Sequence, residues 1–584
     1  MPAIEKFKEI TTYEPNDMQR AMWQRVTSED CAVLLKSPTG TGKTESVLVP
    51  ALASGRRLFM IYPTRSLVED QIQRAESVML KLSDNGKQFS LVIDTGGESR
   101  RRVFRNKKEI TDQQFNSRRH LYDGDVIIST LDKFLYRFFG FGDERKGYIF
   151  PFRIFHGLKR NLFVFDEAHA YEDTAFTNFL RLIKALYIAN LDVVLMTATM
   201  PKSYAAEFDF LETVDFLADQ QPHAKTLKYR SIFGNLTITD AIVSETQSRI
   251  NDRKRLIVTV ETVEDAVKVW NKLGKPLLYH GRLDNSQRKK VYEDLKRREQ
   301  KGDGYLLVTT SAIEVGCDLN ADYLITEFCN PASLIQRAGR CNRRGDRSSA
   351  EVVVVGNKIK NFLREISEEQ EVGFVESLNR KSDSLFLPSD FLDFTQRGVA
   401  FDYRAEIMFD MLFEYVYQSR LENKPLHDKG LVVTRSWEPT ITLTTDKSRM
   451  HNAVSVPISR CTAYTDKDWQ KGVKVYARYF NKYGNEYDVV LRELEYGGFA
   501  YFRDLVIEVP KETFDAQIGY LDLPKPFLHA FPVGYKERLL YQPMINGDER
   551  KVWLHYLRWA PEAVEQEIVE DAETDNEDSD ETEE

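Results

Sequence analysis

A chain of 584 residues, 42% hydrophobic and 29% charged, has material for about three domains with cores of their own. No apolar run approaches the roughly 18 to 20 residues that span a bilayer, and residues 1 to 10 carry no signal-peptide core, so a cytoplasmic enzyme is expected. The net charge of −9 is unevenly spread: residues 562 to 584 hold thirteen Asp/Glu and no Lys/Arg, and setting them aside leaves +4 on the body. Such a tail, 561–584, is too charged and too poor in apolar residues to fold.

Five cysteines (Cys31, Cys317, Cys329, Cys341, Cys461) lack C-x-x-C spacing, which argues against zinc and iron-sulfur sites. Short apolar runs alternating with helical segments predict strands at 31 to 35, 57 to 62, 90 to 94, 125 to 129, 161 to 165 and 192 to 197. A second series follows at 255 to 260, 276 to 280, 304 to 309, 322 to 327 and 350 to 355. That alternation predicts two tandem α/β domains, each a doubly wound parallel sheet, assigned to 1–215 and 216–360.

In chain order, the first strand runs into Ser37-Pro38-Thr39-Gly40-Thr41-Gly42-Lys43-Thr44 and then a helix. Backbone N–H groups in such a turn, with the helix N-terminus, are suited to phosphate oxygens. Lys43 is expected between β- and γ-phosphates of ATP, with the Thr44 hydroxyl on Mg²⁺. Pro63-Thr64-Arg65 follows the second strand, Thr95-Gly96-Gly97 the third, and Thr130 closes the fourth. Small hydroxyls, glycines and helix starts at strand ends are suited to gripping nucleic-acid phosphates irrespective of base. The basic run Arg100, Arg101, Arg102, Arg105, Lys107, Lys108, Arg118, Arg119 and His120 reads equally as solvated surface or as a phosphate track.

The fifth strand ends in Asp166-Glu167-Ala168-His169. Asp166 is expected to hold Mg²⁺ through a water and Glu167 to orient and deprotonate an attacking water, with His169 coupling the sites. The sixth ends in Thr197-Ala198-Thr199, two hydroxyls expected to link nucleotide state to strand contacts. Residues 361 to 420 read as helical and 430 to 560 as rich in aromatics and β-formers, together a mixed α+β accessory domain over 361–560. Its aromatics, among them Trp469, Tyr476, Tyr479 and Phe499, read as core before base-stacking groups.

The ordered set Gln19, the phosphate loop, Pro63-Thr64-Arg65, Asp-Glu-Ala-His, Thr-Ala-Thr, residues 309 to 319 and Gln336-Arg337-Ala338-Gly339-Arg340-Cys341-Asn342-Arg343-Arg344-Gly345 resembles a superfamily 2 helicase. The Gly-Arg-Cys-Asn-Arg ending resembles, more narrowly, the effector helicase of type I CRISPR interference. The resemblance implies two RecA-like domains. It also implies that Gln19 reads the adenine edge beside Tyr13, and that Gly316 and Asp318 approach the nucleotide. Gln336 would contact the γ-phosphate or its water, with Arg340 and Arg343 as arginine fingers. Thr309, Thr310 and the turn His280-Gly281-Arg282 would face the nucleic-acid strand.

It further implies 3′ to 5′ travel on single-stranded DNA, opened by an RNA-guided surveillance complex. Many members carry an N-terminal HD nuclease domain; here the nucleotide motifs arrive within 40 residues. His427-Asp428 is an isolated pair that reads as structural. This organisation resembles the stand-alone helicase subunit of type I-D, whose HD nuclease sits on a separate partner subunit. A general DEAH-type RNA helicase and an ATP-gated clamp without unwinding remain the alternatives.

Overall fold

The computed structural model describes most of residues 3 to 559; the intervals 142–160, 217–222, 428–433, 435–439, 458–473, 491–497 and 521–533, several shorter ones and the acidic tail lie outside the described residues. So do Thr39, Gly97, His169, Thr199 and Gly316 among the expected site residues. The chain divides into two compact units, 1–277 with 295–435 and 278–294 with 436–584.

The first unit holds two sheets. Its first lobe runs α1 (Ala3–Thr11), α2 (Asp17–Thr27), β1 (Ala32–Lys36), α3 (Lys43–Ala53), β2 (Arg57–Tyr62), α4 (Arg65–Leu82), β3 (Gln88–Asp94), β4 (Ser99–Arg105), β5 (Lys108–Gln113), β6 (Val126–Thr130), α5 (Leu131–Phe138), β7 (Asn161–Phe165), α6 (Asp173–Ile188), β8 (Asp192–Thr197), α7 (Lys202–Ala206) and β9 (Glu212–Asp215). The strands lie in the order β5-β4-β3-β6-β2-β7-β8-β1-β9. From β3 onward the pairs are parallel, and a strand such as Asn161–Phe165, buried at every position, suits a sheet covered on both faces.

Register aligns the strand ends into one row. Tyr62 pairs with Thr130, Asp94 with Ser129, Ile61 with Phe165 and Lys36 with Thr197. Every motif expected at a strand end in this lobe therefore emerges at the same carboxyl edge, where open α/β sheets bind ligands.

The second lobe runs β10 (Thr226–Arg230), α8 (Ile238–Gln247), β11 (Arg255–Thr259), α9 (Val263–Lys272), the end of α10 (Asn285–Lys301), β13 (Tyr305–Thr309), β14 (Tyr323–Glu327), α11 (Pro331–Ala338) and β15 (Glu351–Val355), while most of β12 (Leu277–Tyr279) and the start of α10 fall in the other compact unit. Five of its strands form the parallel series β10-β15-β14-β11-β13. Both lobes have the doubly wound RecA-like architecture.

The stretch after β15 visits both lobes. In α12 (Glu368–Lys381), Phe374 packs on Phe328 with ring centroids 5.3 Å apart, and Leu227 N–H donates to Ser384 O across 2.8 Å. After α13 (Ser389–Leu392), α14 (Tyr403–Gln418) turns to the first lobe, where Arg181 Nε pairs with Asp410 at 3.0 Å and Thr174 Oγ1 donates to Asp402 at 2.6 Å. His427 is structural: buried, its Nε2 lies 2.8 Å from Phe139 O and its ring stacks on Phe141.

The first part of the basic run after Gly96, Arg100 to Lys108, lies in the antiparallel hairpin β4–β5 on the sheet edge, Arg118 and Arg119 follow it at a short 3-10 turn, and four of the run's cations meet acids. Arg100 Nε meets Asp112 at 2.6 Å, Arg102 meets Glu109 and Glu76, Lys107 meets Asp84, and Arg119 Nε reaches the fully buried Asp94 at 3.2 Å. These pairings favour the structural reading for those four cations.

In the second unit, strands between Thr440 and Trp559 build an eight-stranded sheet that is largely antiparallel. None of the described helices is long and apolar enough to cross a membrane.

Candidate nucleotide and nucleic-acid site

Two glycines shape the phosphate loop. Gly40 and Gly42 sit at φ 84° and 82°, in the left-handed region that residues with a Cβ rarely adopt. A Cβ on Gly42 would run into the Gln19 amide. Behind the loop, α2 begins with a reciprocal cap in which the Asn16 and Gln19 side chains satisfy each other's backbone N–H. The same two side chains then donate to the loop, Asn16 Nδ2 to Thr41 O at 3.1 Å and Gln19 Nε2 to Gly42 O at 3.3 Å. Asn16 was missed as a site residue, although Asn-x-x-Gln before a helix is a capping signature.

Lys43 opens α3 and is buried; its ammonium donates to Ser37 O at 2.9 Å and Pro38 O at 3.0 Å. Burial pulls its pKa below the usual lysine value, the Glu167 and Asp166 charges oppose this, and Arg343 and Arg74 add to it. Thr44 is buried one residue on, and Ser37 Oγ pairs with Thr41 Oγ1 at 2.8 Å. Asp166 follows β7, separated from β1 by β8, with Oδ1 accepting Glu167 N–H at 2.9 Å. Burial, followed by the adjacent Glu167 charge, pushes its carboxyl upward, and Lys43 pulls it back. Glu167 itself stands at φ 52°, a left-handed conformation uncommon for a non-glycine residue. Thr197 is buried, and its carbonyl accepts the Ser37 N–H at 3.0 Å, a direct backbone bond between the two motifs.

The second lobe delivers its arginines unequally. Arg340 is buried in its own lobe: Nε donates to Ile313 O at 3.1 Å and Nη2 to Glu314 O. Arg343 reaches the loop, since a Cβ on Gly40 would lie 3.0 Å from Arg343 O and 3.7 Å from its Cγ. Its Nε pairs with Asp318 at 3.0 Å. Gln336 lies half-buried on α11. Arg337 is 1% exposed and ion-paired at 2.7 Å with both Glu261 and Glu314.

Cys341 and Asn342 form a clip that aims Arg343. Cys341 is fully buried, with its thiol 3.5 Å from Asp322 O. Asn342 takes φ 45°, its Nδ2 donates to Ala224 O at 2.8 Å, and its Oδ1 accepts Arg347 N–H at 2.9 Å. Beside it, the buried Lys225 ammonium donates to Ala338 O at 2.7 Å and Cys341 O at 2.8 Å. Burial pushes its pKa from 10.5 down to about 8. The unfolded chain therefore holds the proton at higher pH than the native one. Wild-type protein should gain stability over Lys225→Met as pH rises from about 8 to 10.5, and lose that gain as pH falls back. Thermal midpoints of the two proteins across that window measure it; a constant difference would contradict the assignment.

Arg74, on α4, is the second residue that sequence reasoning missed. Its Nη1 meets Glu45 Oε1 at 3.1 Å and its Nη2 meets Asp318 Oδ2 at 3.6 Å, so Asp318 lies between a guanidinium from each lobe. Nothing in the spacing around Arg74 marks it, because both partners are remote in sequence. Arg74→Ala should lower ATP turnover about tenfold, the scale of a charge-assisted contact, as read in steady-state hydrolysis.

Pro63 is buried, Thr64 caps α4 and Arg65 is exposed; a Cβ on Gly96 would strike the Arg65 guanidinium, so these two expected grips meet. Thr130 caps α5 and is buried. At the end of β13, Thr309 is fully buried with its hydroxyl donating to Thr310 O, and Thr310 is nearly so, leaving Ser311 as the exposed hydroxyl there. His280, Gly281 and Arg282 belong to the other compact unit, where Arg282 N–H donates to His280 Nδ1 at 3.2 Å and Arg282 O abuts Gly519.

Residues 16–208 match the family model of DEAD/DEAH box helicases, and residues 252–346 match that of the CRISPR-associated nuclease/helicase Cas3, C-terminal. The chain is 25% identical to a CRISPR-associated helicase Cas3 of Thermoproteus tenax, covering 55% of each protein. It is 24% identical to a CRISPR-associated nuclease/helicase Cas3 of Methanothermobacter thermautotrophicus, covering 59% of this chain and 42% of that one. The chain thus spans about half the length of these curated relatives. Among solved structures, T. fusca Cas3 with AMPPNP aligns with TM-score 0.58 at 16% identity over 89% of this chain and 72% of that one. The DUF1998 helicase MrfA bound to DNA gives 0.56 at 15% identity, covering 93% and 72%. Across both lobes the chain is similar to Cas3-like helicases.

Proposed function

We propose that this chain is an ATP-driven translocase and helicase on single-stranded DNA, moving 3′ to 5′ in type I CRISPR interference. The observation that carries the reading is Arg343 of one lobe lying against Gly40 in the phosphate loop of the other, with Asp318 and Arg74 between. A cleft bounded by both lobes can be drawn closed by phosphate and released by hydrolysis, and that alternation becomes movement when each lobe grips the strand.

The residues fit Mg²⁺: a buried carboxylate and a hydroxyl, Asp166 and Thr44, lie beside a glycine loop shaped for phosphates, and this cation takes few protein oxygens. Bound there, it would neutralise phosphate charge. Lys43 and the loop N–H groups hold the phosphates, exchanging the Ser37 and Pro38 carbonyls for phosphate oxygens. The Glu167 carboxylate orients the attacking water and takes its proton. Arg343 leaves Asp318 to meet charge developing on the transferred phosphoryl group.

In this reading the chain is recruited by an RNA-guided surveillance complex, and a separate HD subunit of the type I-D kind cuts the strand. The names of its relatives support the CRISPR setting, and the structural role of His427 leaves that residue outside any nuclease centre. Hydrolysis should rise with single-stranded DNA well above RNA, and Lys43→Ala should abolish it. A duplex with a 3′ single-stranded tail should be unwound in preference to one with a 5′ tail. Equal stimulation by RNA would favour an RNA helicase, and hydrolysis without strand displacement a clamp.

A further inference from the structure

Phe115 is 68% exposed, an uncommon condition for a benzyl side chain, and sits two residues past the exposed, mostly polar edge strand β5. Its backbone is anchored. Its backbone bridges Ser99, and the next residue, Asn116, donates its N–H to Ser99 O at 2.9 Å. The Arg119 guanidinium lies 5.7 Å from the ring centroid, and that guanidinium is itself anchored on Asp94, which is 0% exposed and doubly bonded to Arg137. Ser99 and Asp94 are cross-strand partners flanking the turn that contains Thr95 and Gly96. Arg65 covers that same Gly96, and Arg118 is exposed three residues beyond Phe115.

An exposed apolar ring on an anchored backbone thus stands at the rim of a turn suited to phosphate, with guanidinium groups close to both. We propose that Phe115 is a stacking platform for a base of the single strand whose phosphates pass over Thr95, Gly96 and Arg65. This rests on the functional reading above and adds to it a contact with base rather than backbone. The occupant follows from the chemistry. A nucleotide alone combines an aromatic face for the ring with an anion for the neighbouring cations, and stacking tolerates any base.

The test uses the full chain and labelled single-stranded oligothymidylate, read by fluorescence anisotropy across a salt series, with Phe115→Leu and Phe115→Trp. Leucine should weaken binding about tenfold, within the range for loss of one base stack, and tryptophan should bind within about twofold of wild type. The slope of affinity against salt should be the same in all three proteins, because stacking releases no counterions. An oligonucleotide with an abasic position should cost wild type affinity and leave Phe115→Leu unaffected when the gap meets residue 115. Thermal unfolding checks that the variants fold. Wild-type binding with Phe115→Leu unchanged would overturn the platform alone, as would a loss that flattens the salt slope. No binding by wild type would sink the functional reading and the platform with it.

Discussion

Arg343→Ala is expected to lower strand-stimulated ATP turnover by about 10³-fold or more, the scale of an arginine that meets transition-state charge, with a much smaller change in nucleotide affinity. Two observations make Arg343 the choice between the two candidate fingers. It alone lies against Gly40, and its guanidinium is held by Asp318, a partner it can exchange for phosphate. Arg340 is already committed to the carbonyls of Ile313 and Glu314, where it braces the segment leading to Asp318. Arg343→Lys should recover little, since a point charge lacks the guanidinium fork. Single-turnover hydrolysis alongside nucleotide binding separates the two effects. A turnover change below tenfold for Arg343→Ala would remove it from the chemistry.

The second large effect concerns stability. Arg337→Met should cost about 3 to 5 kcal/mol, because it strands two carboxylates in a buried position. Glu261 and Glu314 both depend on this one guanidinium, which also donates to Thr326 Oγ1 at 2.9 Å. The network joins the end of β11, the segment after β13 and α11, so its loss should also loosen the frame that carries Arg343. Denaturant midpoints measure the loss. Recovery on adding Glu261→Gln and Glu314→Gln would attribute it to the unpaired charges.

Much of the parallel framework was legible because buried strands leave a strong apolar signal. The runs at 57 to 62, 161 to 165 and 192 to 197 coincide with β2, β7 and β8. The hairpin β4–β5 was not legible: Ser-Arg-Arg-Arg-Val-Phe-Arg has no clean alternation, and β5 beyond it is an edge strand exposed at every position, which needs none. The phosphate loop could be read from composition, since its glycines are demanded by positive φ. Arg74 and Lys225 could not, because their roles come from partners more than 100 residues away, Asp318 for one and Ala338 and Cys341 for the other. Cys341-Asn342 carries the narrower family resemblance in the sequence, and the fold shows what the pair does: it is wired to Ala224, Asp322 and Arg347.

The stretch that leaves β15 and docks first on one lobe and then on the other works as a leash. Between Thr395, at the end of the turn after α13, and Asp402, which caps α14, only seven peptide steps are available. While both ends stay docked, those two residues can separate by no more than about 25 Å, the fully extended reach of the intervening backbone. Any stroke these lobes make along a strand is therefore bounded by a length of chain remote in sequence from the nucleotide motifs and the expected strand grips.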